Sequence, residues 1–148
     1  MAKSYTQKKG RGATPRFAGI PHHVLKSDRG KSLTGLEMRL LVHLLLQSNG
    51  SNNGNLSPTY SLMKMLGWKS TGSLDRAKRG LEHKGFIIVT RQGHKIRGDC
   101  TLVAITWHGI DDALRREYDD HIKVSPVPLN YFKLPKEQWK IQPSTKPL

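Results

Sequence analysis

Between residues 69 and 98 the chain carries eight Lys or Arg, at positions 69, 76, 78, 79, 84, 91, 95 and 97, against two acids, Asp75 and Glu82. Ordinary surfaces interleave the two signs, and cations crowded together repel unless a polyanion neutralises them. The chemistry expected here is therefore phosphate contact and base readout, not bond-making. Arg76 is the first candidate for a base edge, because a guanidinium can bridge guanine O6 and N7. Lys69, Lys78 and Arg79 suit phosphates, which fix register but carry little sequence information. Ser70, Thr71, Gly72 and Ser73 bring hydroxyls and short side chains, which let a backbone approach bases closely. Further on, His94, Lys95 and Arg97 lie in residues 92–99, where they would reach phosphates or a minor groove. The bland alternative is a charged, solvated face and a loop whose cations aid solubility.

Such groups need elements to position them. Ser57 followed by Pro58 predicts a helix start, with Leu62, Met63 and Leu66 on one face and Gly67 as the stop. After the turn 67–69, Ser70 would cap a second helix with Leu74, Ala77 and Leu81 facing inward, ending at Lys84-Gly85. Its opposite face would then present Thr71, Gly72, Ser73, Arg76, Arg79 and Gly80. Two short helices joined by a Gly-containing turn match a helix-turn-helix. Residues 86–91 and 100–107 are β-branched runs that predict a hairpin with a long basic tip, and Leu56 would add a very short third strand.

Upstream, Thr34-Gly-Leu-Glu37 is a capping-box pattern before the most hydrophobic segment, residues 36–46. Arg39, His43 and Gln47 recur every four residues, which predicts one wet stripe on a buried central helix and makes His43 a surface group. Residues 49–55 are turn chemistry throughout. Pro21 would open a short helix, and the folded domain is expected to begin at Phe17. Downstream, Ile110, Leu114, Tyr118 and Ile122 sit at four-residue spacing and predict one more amphipathic helix with its acids turned away from DNA. From Val124 on, five prolines among lysines predict an extended tail. Its aromatics, Tyr131, Phe132 and Trp139, would dock on the domain or a partner subunit, or less readily stack on single-stranded bases.

Composition bounds the rest. A chain of 148 residues with 36% hydrophobic content supports one modest core, and a formal charge of +14 with pI near 10.2 points to nucleic acid rather than a membrane surface. No stretch approaches the roughly 18 apolar residues of a membrane span, and the first residues lack a signal peptide's apolar segment. An intracellular, cytoplasmic protein is expected, nucleoid-associated in a bacterial cell. The lone Cys100 can form no internal disulfide. His22-His23 lacks a nearby Cys or carboxylate at ligand spacing, so no metal site is expected. No nucleophile elbow, phosphate loop, metal-ligand cluster or deaminase signature is present, and neither an enzyme nor a cofactor is expected.

Taken together, Phe17-Ala-Gly-Ile-Pro21, Leu33-Thr-Gly-Leu36, Asn49-Gly-Ser-Asn-Asn-Gly54, the helix pair at 57–84 and Gly85-Phe86-Ile87 resemble the small winged helix-turn-helix proteins of bacterial phages, plasmids and integrated mobile elements. The similarity spans residues 17–110. It implies an α+β fold, with a three-helix core, a hairpin wing, a C-terminal helix and extended basic tails. The expected organisation is a basic disordered arm at 1–16, the winged domain at 17–122 and a Pro-rich basic tail at 123–148. The implied activity is sequence-specific double-stranded DNA binding, as a transcriptional regulator, with the 70–84 helix in the major groove and 92–99 as the wing. A homodimer on two half-sites fits that geometry. Structural RNA binding is the second reading, and a replication or excision accessory factor is a variant of the first.

Overall fold

The computed structural model of the protein describes residues 15–94 and 99–147. Within them the chain is an α+β assembly of five helices and a two-stranded antiparallel sheet. Two short helices, α1 (His22–Lys26) and α2 (Asp28–Lys31), lead to α3 (Gly35–Gln47). Then α4 (Tyr60–Met63) tightens into a 3₁₀ turn (Lys64–Leu66) and is followed by α5 (Thr71–His83). Strands β1 (Ile87–Arg91) and β2 (Leu102–Ile105) form the hairpin, with a bulge between Val89 and Arg91. No described helix is long and apolar enough to cross a membrane.

Local chemistry explains most of these boundaries. The Thr34 hydroxyl accepts from the Glu37 N–H while the Glu37 carboxylate accepts from the Thr34 N–H, a complete capping box at the start of α3. The Ser70 hydroxyl accepts from the Ser73 N–H and starts α5. Gly67, with φ 95°, ends the 3₁₀ turn in a left-handed conformation that side chains resist. Leu56 makes an isolated bridge with Val103, the short third strand the sequence predicts.

The sheet is buried on both faces, as alternation along a strand requires when each face meets its own layer. Ile87, Val89, Val103 and Ile105 join the helical core around Leu40, Leu41, Leu44, Leu74 and Leu81. Ile88 and Ala104 point the other way, into a second cluster with Ile110, Ile122, Tyr131 and Trp139.

That second cluster replaces the predicted C-terminal helix. Residues 110–122 form no helix, because several of the backbone groups a helix would pair are bonded to partners elsewhere in the chain. The Leu114 N–H donates to Asn55 Oδ1, the Asp112 carbonyl accepts from Asn55 Nδ2, and the Asp119 N–H donates to the Thr90 carbonyl. The Tyr118 hydroxyl takes the Asp111 carbonyl at 2.6 Å, the acceptor a helix would have used. Asn53, buried, ties the start of the region down: its N–H donates to the Asp111 carboxylate and its carbonyl accepts from the Asp111 N–H, while its side chain bonds Ile105 and Gly109 just before it.

The segment from Val124 continues as a strap across the sheet, with 3₁₀ turns at Tyr131–Lys133 and Lys136–Gln138. Its aromatics dock on the domain: Tyr131 stacks on Trp139 at 5.1 Å and Phe132 on Phe86 at 5.5 Å. Arg29 donates to the carbonyls of Tyr131 and Leu134 and fastens the strap to α2.

Candidate nucleic-acid interface

The α4–α5 pair is seated on α3 by the side chains that the four-residue spacing predicted to be wet. Arg39 donates to the Leu66 carbonyl and lies 4.9 Å from the Trp68 ring, His43 Nδ1 accepts from Trp68 Nε1 at 2.8 Å, and Gln47 exchanges two hydrogen bonds with the Ser57 backbone. His43 is thus a half-buried acceptor, and burial followed by the neighbouring Arg39 charge lowers its pKa. The stripe is a polar seam, satisfied along its length.

The same seam moves the helix start. With the Ser57 N–H and carbonyl both held by Gln47, residues 57–59 stay extended, Thr59 takes the N-cap position, and α4 begins at Tyr60. Of its expected inward residues only Met63 is buried; Leu62 and Leu66 are exposed, as is Met65.

Helix α5 buries Leu74, Ala77 and Leu81 as predicted. Its outward surface differs in two places. Gly80 faces α3: a Cβ there would overlap the Glu37 carboxylate, which also holds Lys84 Nζ at 2.5 Å. Gly80 belongs to the helix–helix contact rather than to an outer surface. Asp75, in turn, sits among the cations and pairs with Arg79 Nε at 2.9 Å. Exposed Arg76 donates to the Ser73 hydroxyl at 3.4 Å, a long contact that leaves the guanidinium on the surface. Lys69, Ser70, Thr71 and Gly72 are exposed at the helix start, and the Ser70 hydroxyl is engaged as the cap.

Thr71 and Lys78 look toward the hairpin. With Tyr60, Asp75, His94, Asp99 and Thr101 they line a depression of about 430 Å³ between α5 and the wing stem. Of the wing residues, His94 is exposed, while Lys95 and Arg97 lie outside the described residues, as does the arm before Pro15. The stem itself is braced by Asp99, which accepts from Arg91, from Arg116 at 2.6 Å and from the His94 N–H. Burial pushes the Asp99 carboxyl up, but the His94 hydrogen bond and the two guanidiniums outweigh it and hold its pKa below the usual range. Arg91 is therefore part of the stem rather than of an outer cationic surface. On the stem's other side a groove of about 760 Å³ runs past Gln47, Asn55, Ser57, Thr59, Leu102 and Arg115.

The structure brings Thr71, Lys78 and His94 around one depression and leaves Lys69, Arg76 and Arg79 on the adjoining helix surface. Asp99, one residue beyond the 69–98 stretch, is the acid the sequence reading leaves out, and nothing in its spacing signals its pairing with Arg91 and Arg116. The pairing of Asp75 with Arg79 is readable from their i,i+4 spacing. No family model, curated protein or solved structure matches the chain.

Proposed function

We propose that the protein binds double-stranded DNA in a sequence-dependent way, as a winged helix-turn-helix regulator of transcription. In this reading α3, α4 and α5 are the three-helix core, α5 enters the major groove, and the hairpin β1–β2 with the Leu56 bridge is the wing. The observation that carries it is the presentation of α5. Capped at Ser70, it offers Thr71, Gly72 and Ser73 at its N-terminal end and Arg76 one turn later, beside the hairpin stem. Recognition helices meet base edges with their N-terminal residues. Arg76 is assigned to a guanine edge, Lys69 and Lys78 to phosphates, and Arg79 to a phosphate reached while Asp75 orients it. His94, Lys95 and Arg97 would contact the backbone or minor groove beside it.

The reading requires no cofactor and places the protein with bacterial mobile elements and the nucleoid. One short helix covers few base pairs, so a second copy on a half-site one helical turn away would complete the recognition.

Selection from a pool of random duplex DNA tests it, run with the parent and with an Arg76→Ala, Arg79→Ala variant. A recovered motif that the variant loses or relaxes is expected. Tight binding without any motif, unchanged in the variant, would overturn sequence readout by α5 and favour an architectural or RNA-binding role.

A further inference from the structure

Three of the eight cations along 69–98 pair with carboxylates of the protein itself. Lys84 pairs with Glu37, Arg79 with Asp75 and Arg91 with Asp99. The C-terminal strap shows the reverse: it carries Lys133, Lys136, Lys140 and Lys146 against Glu137, and all four lysines are exposed. Among the described residues no carboxylate lies within ion-pair distance of any of them.

The strap is bound to α5 at the end away from Ser70. Glu82, buried, accepts from the Ser144 hydroxyl at 2.9 Å, the Thr145 N–H at 3.1 Å and the Thr145 hydroxyl at 2.9 Å. Next to it His83 Nε2 lies 2.7 Å from the Thr145 carbonyl, which can only accept, so Nε2 carries the proton. In the neutral ring Nδ1 is then an acceptor, and Lys136 Nζ lies 3.4 Å from it. One tautomer satisfies both contacts. His83 stands one turn beyond Arg79 and two beyond Arg76, on the same stripe of the helix. Lys136 and the neighbourhood of Lys146 therefore continue the line that those arginines begin.

Resting on the DNA-binding reading above, we infer that the strap is a second phosphate-binding element: Lys136 and Lys146 contact the DNA backbone next to the stretch that α5 reads. Glu82 and His83 hold the strap in register with the helix. The partner chemistry is the phosphodiester backbone of duplex DNA, and these contacts add affinity without base preference.

The full chain tests this in binding titrations between about 50 and 200 mM salt, on the selected site and on random duplex. Lys136→Ala, Lys146→Ala should leave the selected motif unchanged and make the log–log salt slope shallower by about 1.8, at about 0.9 per phosphate. Over that salt range the parent's loss of affinity would then exceed the variant's by about tenfold. Lys136→Arg, Lys146→Arg should keep the parent slope. Glu82→Ala, which keeps both lysines but unpins the strap, should move the slope the same way as their removal. Lys123→Ala, an exposed lysine beside the Ile110–Ser125 bridge, serves as the control for bulk charge. A slope unchanged by the paired alanines, or lowered as much by the control per charge removed, overturns the strap assignment while the DNA reading stands. A parent that binds no duplex overturns both.

Discussion

On one flank of α5 a buried carboxylate meets a cation; on the other, among the described residues, a buried carboxylate meets only neutral donors. Glu37 of α3 accepts from the Lys84 ammonium and the Thr34 N–H and lies over Gly80. Glu82 of α5 accepts from two hydroxyls and one N–H of the strap. The α3 flank is closed by helices already fixed by their caps and apolar stripes, so Glu37 is one contact among many. The strap flank is closed by a segment whose only described helical pieces are two 3₁₀ turns, so its position depends on a few anchors: Glu82, Gly85, Arg29 and the stacked aromatics. The difference predicts that loosening the strap leaves α5 in place, whereas disturbing the α3 flank does not.

The largest effect should come from Gly85→Ala. At φ 84° a side chain is strained, and its Cβ would stand 2.7 Å from Trp139 and from the Tyr131 backbone. Strain and overpacking together should cost about 3 kcal/mol in denaturant unfolding. A loss below about 1 kcal/mol would mean that the strap does not sit against this turn.

Glu37→Ala should cost about 2–3 kcal/mol, from the lost capping box and the partner removed from Lys84. Glu82→Ala should cost less, about 1–2 kcal/mol, because Ser144 and Thr145 can return to water. Hydrogen exchange should then quicken over 142–147 while α5 stays protected. Equal global losses, or α5 exchanging with the strap, would erase the distinction between the flanks.

Gly80→Ala sharpens the comparison through its sign. Helix propensity alone favours alanine by about 1 kcal/mol. The overlap with Glu37 should reverse that and give a net destabilisation of about 1 kcal/mol. In a Glu37→Ala background the same substitution should become stabilising.

The smallest effect concerns the polar seam on α3. Burial and Arg39 lower the His43 pKa, so the folded protein binds that proton less readily than the unfolded chain. The unfolded chain then gains protons first as pH falls. Stability should be level above the unfolded value of about 6.5 and decline below it. His43→Gln should flatten that decline in thermal melts between pH 7 and 5.

The parts of this design legible in the sequence are those set by neighbours. Thr34 and Glu37, Ser70 and Ser73, Gly67, and the Leu74, Ala77, Leu81 stripe all act within a turn or two, and each appears where its spacing placed it. What could not be read depends on partners far along the chain. Lys84 meets Glu37 across 47 positions and Thr145 meets Glu82 across 63. Ile110, Leu114, Tyr118 and Ile122 carry a helical period, yet Asn55 and Thr90 claim the backbone groups that a helix needs. Arg39, His43 and Gln47 were correctly placed on one stripe, but polarity alone could not distinguish a solvated face from one satisfied by Leu66, Trp68 and Ser57. The same limit affects the candidate interface: spacing locates Arg76 and Lys78, whereas which cations are neutralised is decided by the fold.

The most direct test of α5 as the reading element is amide chemical-shift mapping of the isotopically labelled full chain titrated with its selected duplex. The account predicts the largest changes over 69–80 and 92–101, with a second group near Lys136 and Lys146. Changes confined to the groove past Asn55 and Arg115, or to α1 and α2, with 69–80 unmoved, would contradict it.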